Sequence, residues 1–443
     1  MNRLDVPDEG VPEYEPRADR DAFLDADATR TMQPLPMLAC YACGETVEAP
    51  ASPRCSCGEP RWYETPPTAA DDVADIEWPS DLDAGTWAFA DLLLADPPAD
   101  GLATASGGTP LVRTPALDDY AGAAVSVADE GRNPTGSFKD RGTAVGIEIA
   151  LAEGADAVGT VSHGNMAMSV AAHAAAAGLE CTVCIPSDIS DERIRHIGRY
   201  DPRILRIDGD YGRLYHDAIE AGAERGIRFI NSDSPGRVAG QKTTVLEALA
   251  QHRRRTGMLP DAIVLPTSSG GHASGAYKGL SELQAAGLID TDAKPGAADA
   301  MPRLHLVQAA ACAPIAEAAA RGAETVDPVE PGETIAYSIA NPDPPSGTRA
   351  LFGARETGGT AIAVADDAIR EAKRRLATTA GLTVEAASAT SLAGARRLAR
   401  DGEIGPDEDV ICIATGSGFK ESVGDPTDVR TETVALEALS DAL

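Results

Sequence analysis

The sequence predicts an α/β protein built on open, mostly parallel sheets covered on both faces by helices. Three observations carry that expectation. From about residue 123 onward, short β-branched runs alternate with alanine-rich stretches of helical period. The chain has 443 residues, enough for two or three domains with sizeable cores. Hydrophobic residues are 43% and charged residues 24%, ordinary globular usage that argues against disorder throughout.

Residues 1–35 read as an acidic mobile tail, because Leu4, Val6, Val11 and Phe23 are too scattered to close a core. This stretch has no apolar h-region and so is not a signal peptide. Residues 36–66 hold Cys40 and Cys43, then Cys55 and Cys57, with glycine following Cys43 and Cys57. Two such pairs can meet as a tetrahedral, four-cysteine zinc-ribbon-like segment. The second pair has one intervening residue where two are usual, so a metal-free knuckle, or no ribbon at all, stays open. Residues 67–100 read as a linker and leading amphipathic helix, with Trp78 and Trp87 lying among prolines at 66, 67, 79, 97 and 98. Strands are then expected at AAVSVA, AVGTVS, CTVCIP, RILRID, IRFINS, AIVLPT, RLHLVQ and VICIAT, with helices between most of them.

Charge narrows the function classes. The net charge of −31 disfavours binding to phosphodiester backbones. Only six lysines occur, so 32 of the 38 basic residues are arginine. An acidic, lysine-poor chain suits a salty, halophilic cytoplasm where ionic strength screens self-repulsion, although a GC-rich genome gives a similar composition. No run of 18 apolar residues marks a transmembrane helix, and a soluble, cytoplasmic protein is expected. Eight cysteines in a chain this long do not make a disulfide scaffold.

In open parallel sheets, chemistry sits in the loops after strand ends, and four of these loops are unusual. The first holds Asn133 to Gly142, in which Ser137 and Asp140 have capping-box spacing and place Lys139 in a helix's first turn. A helix N-terminus disfavours the ammonium and so favours the neutral amine that a Schiff-base nucleophile needs. The second loop, Ser162-His163-Gly164-Asn165, offers an amide and backbone donors to an anionic or phenolic oxygen. The third, Thr267-Ser268-Ser269-Gly270-Gly271-His272, is small enough for a phosphate to approach its backbone at a helix N-terminus. It also reads as a plain strand-to-helix turn. In the fourth, Thr415-Gly416-Ser417-Gly418, a hydroxyl is placed to meet a ring nitrogen.

A lysine, an amide, a phosphate cradle and a terminal hydroxyl are the parts that hold pyridoxal 5′-phosphate. The segment NPTGSFKDRG resembles the lysine loop of the threonine synthase branch of the tryptophan synthase β-like (fold-type II) pyridoxal-phosphate enzymes. The resemblance spans about residues 36–425 and recurs in order at SHGN, NSDSPGRVAGQKT, PTSSGG, VQAAACAPI, ETIAYSIANP, EAASA and ATGSGFK. It implies two sheets within a catalytic region at 101–443, the smaller subdomain at about 145–240, behind the cysteine knuckle. It also implies that Lys139 forms the internal aldimine and that Phe138 lies beside the cofactor ring. Asn165 would contact the cofactor's 3′-oxygen, and Ser268, Ser269, Gly270, Gly271 and His272 its phosphate. Thr415 would meet the pyridine nitrogen, leaving it unprotonated and the electron sink milder. Ser162, Asn231, Ser232 and Arg237 would bind substrate, with Arg237 gripping its phosphate bidentately. The implied reaction converts O-phosphohomoserine and water to threonine and phosphate. His163 and His272 are acid–base candidates or hydrogen-bonded bystanders, and Lys242 reads as structural.

Four positions depart from the family pattern: Met166 stands where threonine is usual, Ser417 for His or Asn, Ala386 for Pro, and Ser234 for Asn. These bear on the choice of substrate more than on the cofactor. A related lyase or β-replacement enzyme acting on another amino acid, such as O-phosphoserine in cysteate synthase, therefore stays open. So does a non-catalytic paralogue with a protein-binding ribbon. The expected partner is a small amino-acid phosphate, not nucleic acid or membrane. Monomer and homodimer are both compatible with the sequence.

Overall fold

A computed structural model describes residues 37–49, 51–64, 76–162, 164–187, 189, 191–209, 211–294 and 296–421. The acidic tail expected at 1–35, part of the expected linker, and His163 lie outside these residues. In chain order the strands are β1 (Leu38–Cys40), β2 (Thr46–Val47), β3 (Arg61–Tyr63), β4 (Leu111–Arg113), β5 (Ala124–Asp129), β6 (Ala157–Val161) and β7 (Glu180–Pro186). They continue with β8 (Arg203–Ile207), β9 (Ile227–Phe229), β10 (Ala262–Pro266), β11 (Arg303–Ala309), β12 (Ala361–Val364) and β13 (Asp409–Ala414).

Among the described residues these strands form three sheets. A six-stranded sheet runs β12-β11-β10-β13-β5-β4, parallel except where β4 pairs antiparallel with β5. A four-stranded parallel sheet runs β8-β7-β6-β9, and a small antiparallel sheet runs β2-β1-β3. Every expected strand is present. The additional β4 and β12 are short, and the sequence AIAV of β12 has too few β-branched residues to stand out.

Period-two alternation divides the six-stranded sheet into two faces. Ile263, Leu265, Ile411 and Ile413 point into one core, with Leu280 and Leu351 from its helices. Val264, Val410, Cys412 and Val125 point into the other, with Leu376 and Leu392. The four-stranded sheet buries Val158, Val183 and Ile185 against the helix Asn165–Ala176. The cysteine segment is fused to this body, since Leu38 and Tyr63 share a core with Trp87, Leu93 and with Val145 and Ile149 of the helix Lys139–Ala152.

The expected leading helix is instead a 3-10 turn at Gly85–Leu92, broken at Phe89. Tertiary contact overrides helical propensity there: Gly85 has φ +57°, and a Cβ on it would lie 2.5 Å from the Ser106 carbonyl oxygen. Trp87 fixes the same approach by donating its indole N–H to the Ala103 carbonyl at 2.8 Å. No helix among the described residues is long and apolar enough to cross a membrane.

Candidate active site

The carboxyl ends of β5, β10 and β13 converge with the N-termini of the helices Lys139–Ala152, Asn165–Ala176 and Gly271–Ala285 around a cavity of about 690 Å³. That volume is in the ordinary range for a small-molecule site. Lys139, Phe138, Ser162, Asn165, Ser232, Ser268, Ser269, Gly270, His272 and Thr415 all line it.

The lysine loop is locked to the last strand. Phe138 N–H donates to the Thr415 carbonyl at 3.0 Å, and Ser417 N–H to the Gly136 carbonyl at 2.9 Å. The capping box expected from Ser137 and Asp140 is not made. Asp140 instead accepts from the backbone N–H and hydroxyl of Thr135, each at 2.6 Å, and the Ser137 hydroxyl is buried without a hydrogen-bond partner among the described residues. The turn at Gly136, with φ +79°, folds Thr135 back over the helix start and takes the place of the serine cap.

Beneath this loop lies a charged platform. Fully buried Arg141 donates to both Glu130 carboxylate oxygens at 2.7 Å, to Glu247 at 2.7 Å and to Thr109 at 2.8 Å. With both carboxylates paired and hydrogen-bonded, this is the arrangement that a buried ion cluster requires.

Lys139 is pushed down to about 7, chiefly by desolvation, then by the Arg237 charge, against an opposing pull from Glu385. The direction matches the sequence expectation, but burial and Arg237 are the causes here rather than a helix dipole. Its Nζ lies 4.5 Å from the Phe138 ring centroid, and that ring stacks on His272 at 4.0 Å and 22°. His272 is lowered to about 3 by burial, then by Lys139 and Arg141, so its imidazole is neutral at physiological pH. It is therefore suited to packing and to donating a hydrogen bond, and poorly suited to storing a proton.

Asn165 is held at both ends of its amide. Nδ2 donates to both Glu385 carboxylate oxygens at 2.9 Å, and Oδ1 accepts from Lys420 Nζ at 2.7 Å. Lys420 also lies 3.3 Å from Glu385. Thr415 Oγ1 is 3.0 Å from Ser388 Oγ, which accepts from Gly416 N–H at 2.8 Å. The loop after β10 needs its glycines: a Cβ on Gly270, at φ +86°, would lie 2.2 Å from the Ser346 carbonyl oxygen, and one on Gly271 would lie 2.1 Å from that of Ser232. Gly271 itself sits just behind the cavity wall.

Two expected substrate residues lie off the wall. Asn231 is buried, its Oδ1 accepting from Val161 N–H at 2.9 Å and from Thr160 at 3.3 Å, so it ties β6 to its own loop. Arg237 is fully buried behind Lys139, donating to Thr143 Oγ1 at 2.7 Å and to the Lys139 carbonyl at 3.1 Å. In this arrangement its charge also lowers Lys139. Lys242 is buried against Glu282 and donates to the Leu92 carbonyl, in keeping with a structural role.

Of the four departures from the family pattern, only Met166 is on the wall. Ser234 caps a turn by accepting from Asn231 N–H at 2.9 Å, Ser417 accepts from Phe419 N–H at 3.3 Å, and Ala386 N–H donates to Glu421 at 2.9 Å. Sequence reasoning missed Glu385, Lys420 and Arg54 as site residues. The signal available for Lys420 was the scarcity of lysine itself.

The four cysteine sulfurs lie within 4.8 Å of one another, with Cys40–Cys57 at 3.6 Å and Cys43–Cys55 at 3.5 Å. Tetrahedral thiolates at a Zn–S distance of about 2.3 Å stand about 3.8 Å apart, so the cluster fits a zinc ion.

Comparison with known proteins agrees with this geometry. Residues 102–416 match the family model described as pyridoxal-phosphate dependent enzyme. The chain is 34% identical over 339 residues to a threonine synthase of Methanocaldococcus jannaschii, covering 76% of this chain and 81% of that one. It is 35% identical over 362 residues to a threonine synthase of Methanosarcina acetivorans, covering 81% and 85%. Among solved structures, a fungal L-serine ammonia-lyase from Rhizomucor miehei superposes with a TM-score of 0.57 at 21% identity, covering 72% of this chain and 95% of that one. That last likeness establishes the fold.

Proposed function

The chain belongs to the pyridoxal-phosphate dependent enzyme family, on the branch of proteins named threonine synthase, and from that premise we propose that it converts O-phosphohomoserine and water to threonine and phosphate. The observation that carries the reading is Lys139, lowered to about 7 on the wall of a cavity that also presents a glycine cradle and a neutral hydroxyl.

The residues fit the cofactor. Lys139 would hold it covalently, Ser268 to Gly270 with the helix N-terminus at Gly271 would receive its phosphate, and Asn165 and Thr415 would meet its ring oxygen and nitrogen. When bound, the cofactor supplies the electron sink that lets protons leave carbon. Lys139, as a free amine lowered to about 7, would have the affinity of a base poised near neutral pH and would move protons at Cα and the neighbouring carbons. Thr415 would offer the ring nitrogen a neutral hydroxyl and no carboxylate, which would make the sink mild and leave the wall to steer the outcome. Burial and then the Arg237 charge favour the neutral form of Lys139, while Asn165, clamped by Glu385 and Lys420, offers a fixed amide. Cys40, Cys43, Cys55 and Cys57 would hold a structural zinc ion.

The test is phosphate release measured together with threonine formation from O-phosphohomoserine, in molar potassium chloride with added pyridoxal phosphate. Equal amounts of the two products are expected. Met166, apolar where a hydroxyl is usual, favours a second reading in which another phosphorylated amino acid such as O-phosphoserine is used. Cofactor-loaded enzyme that fails on O-phosphohomoserine and turns over O-phosphoserine would establish that alternative.

A further inference from the structure

Two carbonyl groups bear on the glycines of the loop after β10. A Cβ on Gly270 would lie 2.2 Å from the Ser346 oxygen and one on Gly271 2.1 Å from the Ser232 oxygen, so each carbonyl stands hard against its glycine. Ser346 also donates its N–H to the Ser269 carbonyl at 2.9 Å. The shape of this loop therefore depends on where two other segments, one around Ser232 and one around Ser346, are held.

One side chain on the cavity wall holds both. Arg54 Nη2 donates to Asp233 Oδ2 at 2.9 Å and to the Pro345 carbonyl at 2.9 Å, each the immediate neighbour of a residue that presses on a glycine. Asp233 is buried, so its pair with Arg54 is screened less than a surface pair would be. Arg54 in turn belongs to the cysteine knuckle. Its Nη1 donates to the Gly58 carbonyl at 2.8 Å, Gly58 N–H to the Cys55 carbonyl at 3.0 Å, and Cys55 N–H to the Glu59 carbonyl at 2.9 Å. The turn that carries two of the four cysteines thus fixes the guanidinium. A second route runs beside the first: fully buried Arg349 donates to the Pro60 and Arg61 carbonyls at 3.3 and 3.1 Å and to Ser346 Oγ at 3.1 Å.

We infer that Arg54 is a positioning residue for the phosphate of the cofactor. It fixes the two segments that shape the loop after β10, and metal in the four-cysteine cluster, by ordering the turn that carries Arg54, tightens the hold on that phosphate. This rests on the reading that Ser268 to Gly271 receive the cofactor's phosphate. Linkage makes the effect mutual, so a phosphate held in the loop raises the cluster's affinity for zinc.

The test uses full-length enzyme and two aldehydes, pyridoxal 5′-phosphate and pyridoxal, which offers the same carbonyl to Lys139 without a phosphate. Dissociation constants for both are read from the visible band, and their ratio isolates what the phosphate contributes. Gly270→Ala is the reference: it should weaken pyridoxal 5′-phosphate and leave pyridoxal within about threefold. Arg54→Ala should weaken pyridoxal 5′-phosphate by about tenfold or more and pyridoxal by no more than about threefold, and Arg54→Lys should fall between because an ammonium has no fork. Cys57→Ser, with zinc content measured beside that of the wild type, should lose metal and shift the ratio the same way. Its effect should shrink in the Arg54→Ala background, because the two substitutions share a route. An Arg54→Ala enzyme that keeps the wild-type ratio while Gly270→Ala loses it overturns the inference and leaves the loop's role intact. Equal affinity of the wild type for the two aldehydes removes the phosphate reading of the loop, and the inference with it. Equal weakening of both aldehydes in both Arg54 variants is a general loss of structure and overturns the positioning role. Full additivity of Cys57→Ser and Arg54→Ala, or wild type that holds no zinc, overturns the coupling to the cluster.

Discussion

The two sides of the cavity are built by different means. The cofactor side consists of strand-end loops whose donors are backbone groups and short side chains, held by close packing and short direct bonds between loops that the sheet brings together: Gly270 against Ser346, Phe138 N–H on Thr415, Thr415 against Ser388. The walls around it join segments far apart in the chain through long side chains, Arg54 reaching Asp233 and Pro345 across 179 and 291 residues. Backbone cradles allow little adjustment, whereas a wall held by side-chain bonds moves when one partner moves. One fold can thus keep its cofactor chemistry while its substrate preference changes at a few positions.

The largest break falls on the cofactor side. Lys139→Ala should abolish the visible cofactor band and lower turnover by about 10³-fold or more, because in the proposed function the lysine serves as both covalent anchor and base. Wild-type-like turnover in that variant would remove the assignment. Next comes Gly270→Ala, where the new methyl meets the Ser346 carbonyl at a backbone angle that L residues rarely adopt. Cofactor affinity, titrated by absorbance, should fall by about 10² or more, since strain of about 1–3 kcal/mol adds to the lost approach to phosphate.

A pH experiment sharpens the same contrast. If Lys139 anchors the cofactor as proposed, it reacts as the neutral amine, and its lowered affinity for protons means that loading should rise with pH through about 7 and level off above. Arg237→Met removes a nearby positive charge that favours the neutral form, so the midpoint should move to higher pH. The measurement is the rate of appearance of the cofactor band across pH in wild type and variant. An unmoved midpoint would show that burial alone sets the lysine.

This division explains what was legible in the sequence. The strands β5 to β11 and β13 announce themselves by β-branched runs, and the loops after them by residue types that only special backbone shapes require. Lys139, Asn165, the Ser268–Gly270 cradle and Thr415 could be placed from local pattern, and all of them line the cavity. Arg54, Glu385 and Lys420 could not, because each acts through a partner more than 150 residues away that no local spacing reveals. Arg237 was legible as a site residue and not as a buried one, since its depth depends on how the helix Pro235–Gln241 packs on the helix Lys139–Ala152. The serine cap failed for a related reason: Asp140 had a better donor pair in Thr135, delivered by the turn at Gly136.

The smallest expected effect tests the substrate side alone. Met166 is the one departure from the family pattern on the cavity wall, buried at the start of the helix Asn165–Ala176, next to Asn165. Met166→Thr restores a hydroxyl without touching Asn165, Lys139 or the cradle, so the cofactor band and loading midpoint should not move. If O-phosphohomoserine is the natural substrate, the thioether already packs against it usefully, and the variant should change kcat/KM by only about threefold. If a smaller phosphorylated amino acid is the substrate, the added donor and the space gained should raise kcat/KM for O-phosphohomoserine by tenfold or more, because a hydrogen bond to a buried phosphate oxygen discriminates strongly. The ratio of the two substrates' kcat/KM values, taken before and after this one substitution, therefore separates the readings where the cofactor side is silent.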